Sequence, residues 1–230
     1  MNEQFLRCIQ YLGEENFKRL QSKKVLIAGL GGVGASTFLS LVRSGLKHFI
    51  IVDFDVVELS NLNRQALYTL KDVGRKKVDV AIERARELAN NLDIETIATK
   101  IDSESLKKID GQVDIIVDAI DDMQNKIALL RYSVIKDIPI VISMGAAKRI
   151  DPTLVRVGSI EETKNDKMAK KYRELYRKSH ILAPKAYAVY SLESAKEGVE
   201  GLPSLAFVPQ TFGLTIGAKV IKLLIEGDNI

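Results

Sequence analysis

The chain has 230 residues, 46% of them hydrophobic and 28% charged, with a formal net charge of +4. That length supports one substantial core, the balance excludes a wholly disordered chain, and so mild a charge permits a polyanionic partner without demanding one. The single cysteine, Cys8, excludes an intrachain disulfide, a four-thiolate zinc site and a Cys-x-x-Cys pair.

Residues 1–23 read as an N-terminal helical arm, in which Cys8 near Phe5 and Ile9 is a packed thiol. Lys24–Ala28 is a short apolar run broken at Gly29, as a buried parallel strand would be. A helix is predicted next, with apolar residues at helical spacing from Ala35 to Val42. His48–Val52 is a second strand closing on Asp53, and His48 at its start reads as structural. Lys77 to Leu92 places Val78, Ala81, Ile82, Ala85, Leu88 and Ala89 on one helical face, and Ile94 to Thr99 is the next strand. Asp114–Val117 is a strand, followed by a helix with Ile127, Leu130 and Val134 on one side and by a strand over Pro139–Ser143. Such alternation predicts an α/β fold: a doubly wound, mainly parallel, Rossmann-like sheet whose nucleotide-binding core spans residues 24–150.

After Gly145 the pattern changes. Thr153–Val157 and Ala186–Tyr190 are predicted strands, and Glu161–Lys178 is a highly charged helical stretch. Ser204–Val208 and Phe212–Ile225 are predicted as a last strand and a last helix. That helix carries Leu214, Ile216, Val220, Ile221, Leu223 and Leu224 around much of its circumference, which suits burial or a subunit contact. Residues 151–230 thus form a small C-terminal extension of a single domain. Met1-Asn2-Glu3-Gln4 lacks a leader's basic-then-apolar pattern, and no apolar stretch reaches the roughly 18 residues of a bilayer span, so no membrane association and a cytoplasmic address are expected.

Gly29, Gly31, Gly32 and Gly34 lie between a strand and a helix, where glycines let the backbone approach a phosphate at a helix N-terminus. Asp53 follows the last glycine by 19 residues, the usual place of a ribose-binding carboxylate. Alone, these would suit an NAD-dependent oxidoreductase. Beyond them, Asp55, Asn61, Arg64, Gln65 and Lys77 crowd the crevice with cationic and amide donors, which suit a triphosphate and the charge developing in nucleotidyl transfer.

In order and spacing, Gly29–Gly34, Asp53-Phe54-Asp55, Ser60–Gln65, Gly74–Lys77 and Ala119–Asp122 resemble the adenylation domains of the ThiF, MoeB and ubiquitin-activating superfamily. The resemblance implies ATP and magnesium as cofactors. Asp53 would bind ribose, Asn61, Arg64 and Lys77 the triphosphate, and Asp121 the metal. The opening Phe5–Gly13 resembles the superfamily's N-terminal segment, whose arginine reaches phosphates held by the neighbouring subunit; Arg7 would take that role in a homodimer.

Within the superfamily, Gly145–Thr153, Asp166–Glu174 and Thr211–Leu214 resemble the tRNA threonylcarbamoyladenosine dehydratases. The resemblance implies that a tRNA carboxylate is adenylated and then attacked by the neighbouring ureido group, so that water is lost and a ring closes. No enzyme thiol is needed, since effective molarities of well-oriented groups reach roughly 10⁵ M. Lys148, Arg149, Lys170, Lys171, Arg173 and Arg177 would meet tRNA phosphates, alongside Lys164, Lys167 and Lys178, with Tyr172, Tyr176 or His180 available to stack a base. A solvated helical face is the competing reading of that stretch. A monovalent cation and a sulfur-relay protein stay open. The alternatives are an adenylating activator of a sulfur-carrier or ubiquitin-like protein, and a nucleotide- or tRNA-binding module without turnover.

Overall fold

In the computed structural model, which describes residues 3–107, 109 and 112–226, the apolar runs pair into one seven-stranded sheet. Helices α1 (Leu6–Leu12) and α2 (Glu14–Gln21) lead into β1 (Lys24–Ala28), α3 (Gly32–Arg43) and β2 (His48–Val52). Next come α4 (Lys77–Leu88), β3 (Asp93–Ile97), α5 (Ser103–Lys107), β4 (Ile115–Asp118), α6 (Met123–Ile135) and β5 (Ile140–Ser143). The chain continues through β6 (Val155–Gly158), α7 (Lys167–Ser179), β7 (Ala186–Ser191) and α8 (Phe207–Glu226). The strand order is β3-β2-β1-β4-β5-β7-β6, parallel throughout except for the β6–β7 pair.

Successive strand residues point to opposite faces, which divides the core in two. Val25, Ile27, Phe49 and Ile51 face α3 and α8, whereas Leu26, Ala28, Ile50 and Val52 face α6 and α7. Helix α8 lies so close to α3 that a Cβ on Gly213 would sit 2.4 Å from the Val33 carbonyl oxygen. Thr37 Oγ1 donates to Gly213 O at 3.0 Å across the same contact. The order reverses between β1 and β4, which opens a crevice beyond their carboxyl ends, where open α/β sheets bind ligands.

Several sequence expectations shift. No strand forms over Ser204–Val208, because α8 begins at Phe207 and takes Val208 into the core, with Pro209 tolerated in its first turn. A four-residue apolar run does not distinguish a strand from the start of a buried helix. Leu214 is exposed, whereas Ile216, Val220, Leu223 and Leu224 are buried, so α8 has a distinct inner face. It has the length and apolarity of a membrane span, yet that face packs in the core. The charged helix starts only at Lys167, because Asp166 caps it by accepting from Met168 N at 2.9 Å and leaves Glu161 and Glu162 outside. Helix α4 ends at Leu88, and the short α5 was not anticipated.

Candidate nucleotide site

The turn after β1 is fixed by backbone crowding. Gly29 has φ +90°, and a Cβ there would lie 2.7 Å from Ala119 O, while one on Gly34 would lie 1.8 Å from Gly29 O. Only glycine fits either place, and the first turn of α3 therefore seats directly on the loop. Asp53, nearly buried at the end of β2, accepts from Leu30 N at 2.6 Å and from Asp55 N at 2.8 Å. Burial pushes its carboxyl above the usual carboxylate range, opposed by the Lys77 charge and these two hydrogen bonds. Tyr68 braces the turn from behind, donating to Leu30 O at 3.0 Å, and burial drives its phenol pKa up.

Lys77 opens α4 at 4% exposure, with its ammonium 2.8 Å from Asp55 Oδ2. Its placement depends on the preceding turn. There Asp72 accepts from the Thr69 backbone and hydroxyl and pairs with Arg75 and Arg84. Burial alone would raise the Asp72 carboxyl, but these bonds and charges hold it below its ordinary value. Asn61 is buried and accepts from Glu58 N at 3.1 Å. Arg64 Nη1 donates to Ser60 O and Asn63 Oδ1. Gln65 is buried with its Oε1 unpartnered among the described residues, a polar atom without a structural explanation.

Gly32, Arg64 and Asp121 line one cleft of about 1030 Å³, whose far side includes Gly145, Lys148 and Lys170. Asp121 is exposed in the turn after β4, and Asp122 beside it caps α6 by accepting from Asn125 N at 2.9 Å. No group of three or more His, Cys, Asp or Glu side chains suited to a metal exists among the described residues. A metal at Asp121 would therefore draw its other ligands from phosphate or water, as magnesium commonly does. Arg7 is exposed on α1 and makes no hydrogen bond or ion pair with these groups among the described residues.

The far side corrects several sequence readings. Arg149 is 5% exposed, and its guanidinium donates to the backbone oxygens of Gly145, Ala147, Asn165 and Glu193. It is a scaffold for the loop: four of its five N–H donors are engaged, Asp166 Oδ1 lies 4.0 Å from Nη2, and the side chain is closed to a tRNA phosphate by burial. Tyr172 is fully buried and cannot stack a base. Arg173 is turned back onto Thr163, and Arg177 pairs with Glu161. Lys148, with φ +62°, donates its ammonium to Val199 O at 2.5 Å and its N–H to Pro203 O at 2.9 Å. Lys164, Lys167, Lys170, Lys171 and Lys178 are exposed and carry no ion pair among the described residues.

Two groups went unnoticed in the sequence. Asp166 accepts from Gly145 N at 2.6 Å, and its N-cap position before a helical stretch was a legible signal. Asp118 and Lys126 form a fully buried ion pair at 2.9 Å, and the signal was a lysine in register with Leu130 on an apolar helix face.

A glycine turn, a buried carboxylate closing β2 and clustered cations at the switch point of a doubly wound sheet define a nucleotide-binding α/β protein. The chain belongs to the ThiF family, whose model matches residues 3–229. It is 33% identical over 251 residues to the tRNA threonylcarbamoyladenosine dehydratase of Bacillus subtilis, covering 100% of this chain and 98% of that one. It is 34% identical over 269 residues to tRNA threonylcarbamoyladenosine dehydratase 2 of Saccharomyces cerevisiae, covering 99% of this chain but 60% of the yeast protein. Among solved structures, it superposes on the Escherichia coli dehydratase TcdA in complex with ATP with a TM-score of 0.91 at 25% identity, covering 96% of this chain and 93% of that one.

Proposed function

We propose that this chain is an ATP-dependent tRNA threonylcarbamoyladenosine dehydratase. The observation that carries the reading is the single cleft joining the glycine turn, Arg64 and Asp121 to the Lys148 and Lys170 side. It has room for a nucleotide at one end and a polyanion at the other. Cys8 does not line it, so a thioester-forming activator of a protein tail would find no thiol there. Near-full-length likeness to the Bacillus subtilis dehydratase supports the same choice.

In the reaction, a carboxylate oxygen of the threonylcarbamoyl group attacks the α-phosphorus of ATP and pyrophosphate leaves. The ureido nitrogen or oxygen of the same nucleotide then attacks the acyl carbonyl, and AMP departs with the oxygen that accounts for the lost water. Asp53 would accept the ribose hydroxyls, while Asn61, Arg64, Gln65 and Lys77 would meet the phosphates, with Lys77 exchanging Asp55 for developing charge. Magnesium would sit at Asp121 and supply charge neutralisation. Lys170 and Lys171 would face the tRNA backbone, and Lys148 would join them once its ammonium leaves Val199.

The assembly is a homodimer in this reading, in which Arg7 completes the partner's phosphate site, and the address is cytoplasmic. Exposed Val56, Leu59, Leu70 and Val73 supply apolar surface for such an interface. The test is incubation with ATP and tRNA carrying the modified adenosine. Mass spectrometry should show the nucleoside losing one water, with one AMP and one pyrophosphate formed. Adenylation of a diglycine peptide tail with unchanged tRNA would favour the protein-activating alternative.

A further inference from the structure

Lys126 occupies a position where α6 faces the core, beside Ile127 and one turn before Leu130, and its ammonium is completely excluded from solvent. An ammonium has three N–H donors and no acceptor. All three are engaged: Asp118 Oδ1 at 2.9 Å, Ile120 O at 3.1 Å and Ser143 O at 2.9 Å. The acceptors lie at the carboxyl ends of β4 and β5 and in the turn after β4, and the loops leaving both strands border the cleft. Ile120 immediately precedes Asp121, and Ser143 lies two residues before Gly145.

Burying an ion pair is a weak source of stability, since apolar side chains of similar volume commonly do as well or better. This network is also incomplete, because Asp118 Oδ2 and Tyr172 OH, both buried, have no partner among the described residues. Its effect is therefore geometric. A single ammonium clamps the Ala119–Asp122 turn to the end of β5.

We propose that Lys126 is a positioning residue, whose ammonium holds the Asp121 turn in the geometry that metal-bound triphosphate needs. The proposal rests on the reading that Asp121 holds magnesium. It is distinct from any direct contact, because Lys126 is fully buried and does not line the cleft.

Calorimetric titration of ATP with and without magnesium gives the tightening due to the metal, a readout independent of turnover. Asp121→Asn should reduce that tightening by about tenfold, Lys126→Met by a similar factor, and the double variant by no more than about twofold beyond Asp121→Asn alone, as for residues acting through one another. Metal-free ATP affinity should stay within about twofold of wild type. Lys126→Arg keeps the charge and should recover part of the effect; it replaces Lys126→Met should that variant not fold. If Asp121→Asn lowers the metal effect and the Lys126 variants lower only the melting temperature, the clamp is purely structural and the proposal is overturned. If Asp121→Asn itself leaves the metal effect intact, the magnesium assignment fails and the proposal with it.

Discussion

The two walls of the crevice are built on different length scales. On the wall formed by residues 29–77, Asp53, Asn61, Arg64 and Lys77 are held by neighbours within that segment. Asp53 is bound by Leu30 and Asp55, and Lys77 by Asp55, while Asp72 organises the turn that delivers α4. On the wall after β5, the loop is tied to distant chain. Gly145 donates to Asp166, Arg149 reaches Asn165 and Glu193, and Lys148 reaches Val199 and Pro203. The first wall keeps cations beside partly exposed partners, since Asp55 remains about half exposed under Lys77. The second engages Lys148 and Arg149 in bonds to backbone carbonyl groups. Charge on the first wall is thus available for chemistry, and charge on the second maintains shape.

The sharpest break of that contrast is Arg149→Ala. Removing a buried guanidinium leaves four backbone carbonyls without their donor, an unsatisfied-group penalty that should lower stability by about 3 kcal/mol. Urea unfolding measures it. A loss below about 1 kcal/mol would mean that water replaces the side chain and that this wall is not held as described.

Lys77→Ala tests the opposite wall. Its partner Asp55 is about half exposed and can rehydrate, so stability should fall by only about 1 kcal/mol, less than for a pair buried at both ends. Single-turnover dehydration should fall roughly 10²-fold or more, as when one preorganised charge is taken from a transition state, with tRNA affinity nearly unchanged. Comparable losses of stability and rate would erase the distinction between the walls.

The same difference of scale explains what the sequence revealed. Gly29, Gly34, Asp53 and Lys77 sit at fixed offsets around a strand and a helix start, so their placement beside the crevice follows from spacing that a linear reading captures. Arg149 and Tyr172 resembled free surface groups because nothing near them in sequence indicates burial, which comes from Asn165, Glu193 and the packing of α7 on the sheet. Lys126 was passed over because a lysine on an apolar face registers as a flaw in the pattern until the carbonyl ends of two other strands are placed around it. The missing strand at Ser204–Val208 has a similar origin, since only the packing of α8 in the core decides that Phe207 and Val208 open that helix.

The smallest effect concerns the exposed lysines of α7. Lys167, Lys170 and Lys171 fall at helical spacing on the side away from buried Ala169 and Tyr172, and the first two border the cleft. Unlike Arg173, held by Thr163, and Arg149 and Arg177, which face carboxylates, they have no ion pair among the described residues and can bind an external phosphate at no cost to the fold. Each phosphate contact removed lowers the slope of log affinity against log salt by about one. Replacing all three by alanine should flatten that slope by up to about three, weaken tRNA binding regardless of sequence, and leave ATP affinity and the urea midpoint unchanged. Filter binding across a salt series reads the slope directly. An unaltered slope would make this helix face a solvated surface, and the tRNA would then have to be sought around Lys148, where opening of the 194–204 loop would be needed to free the ammonium from Val199.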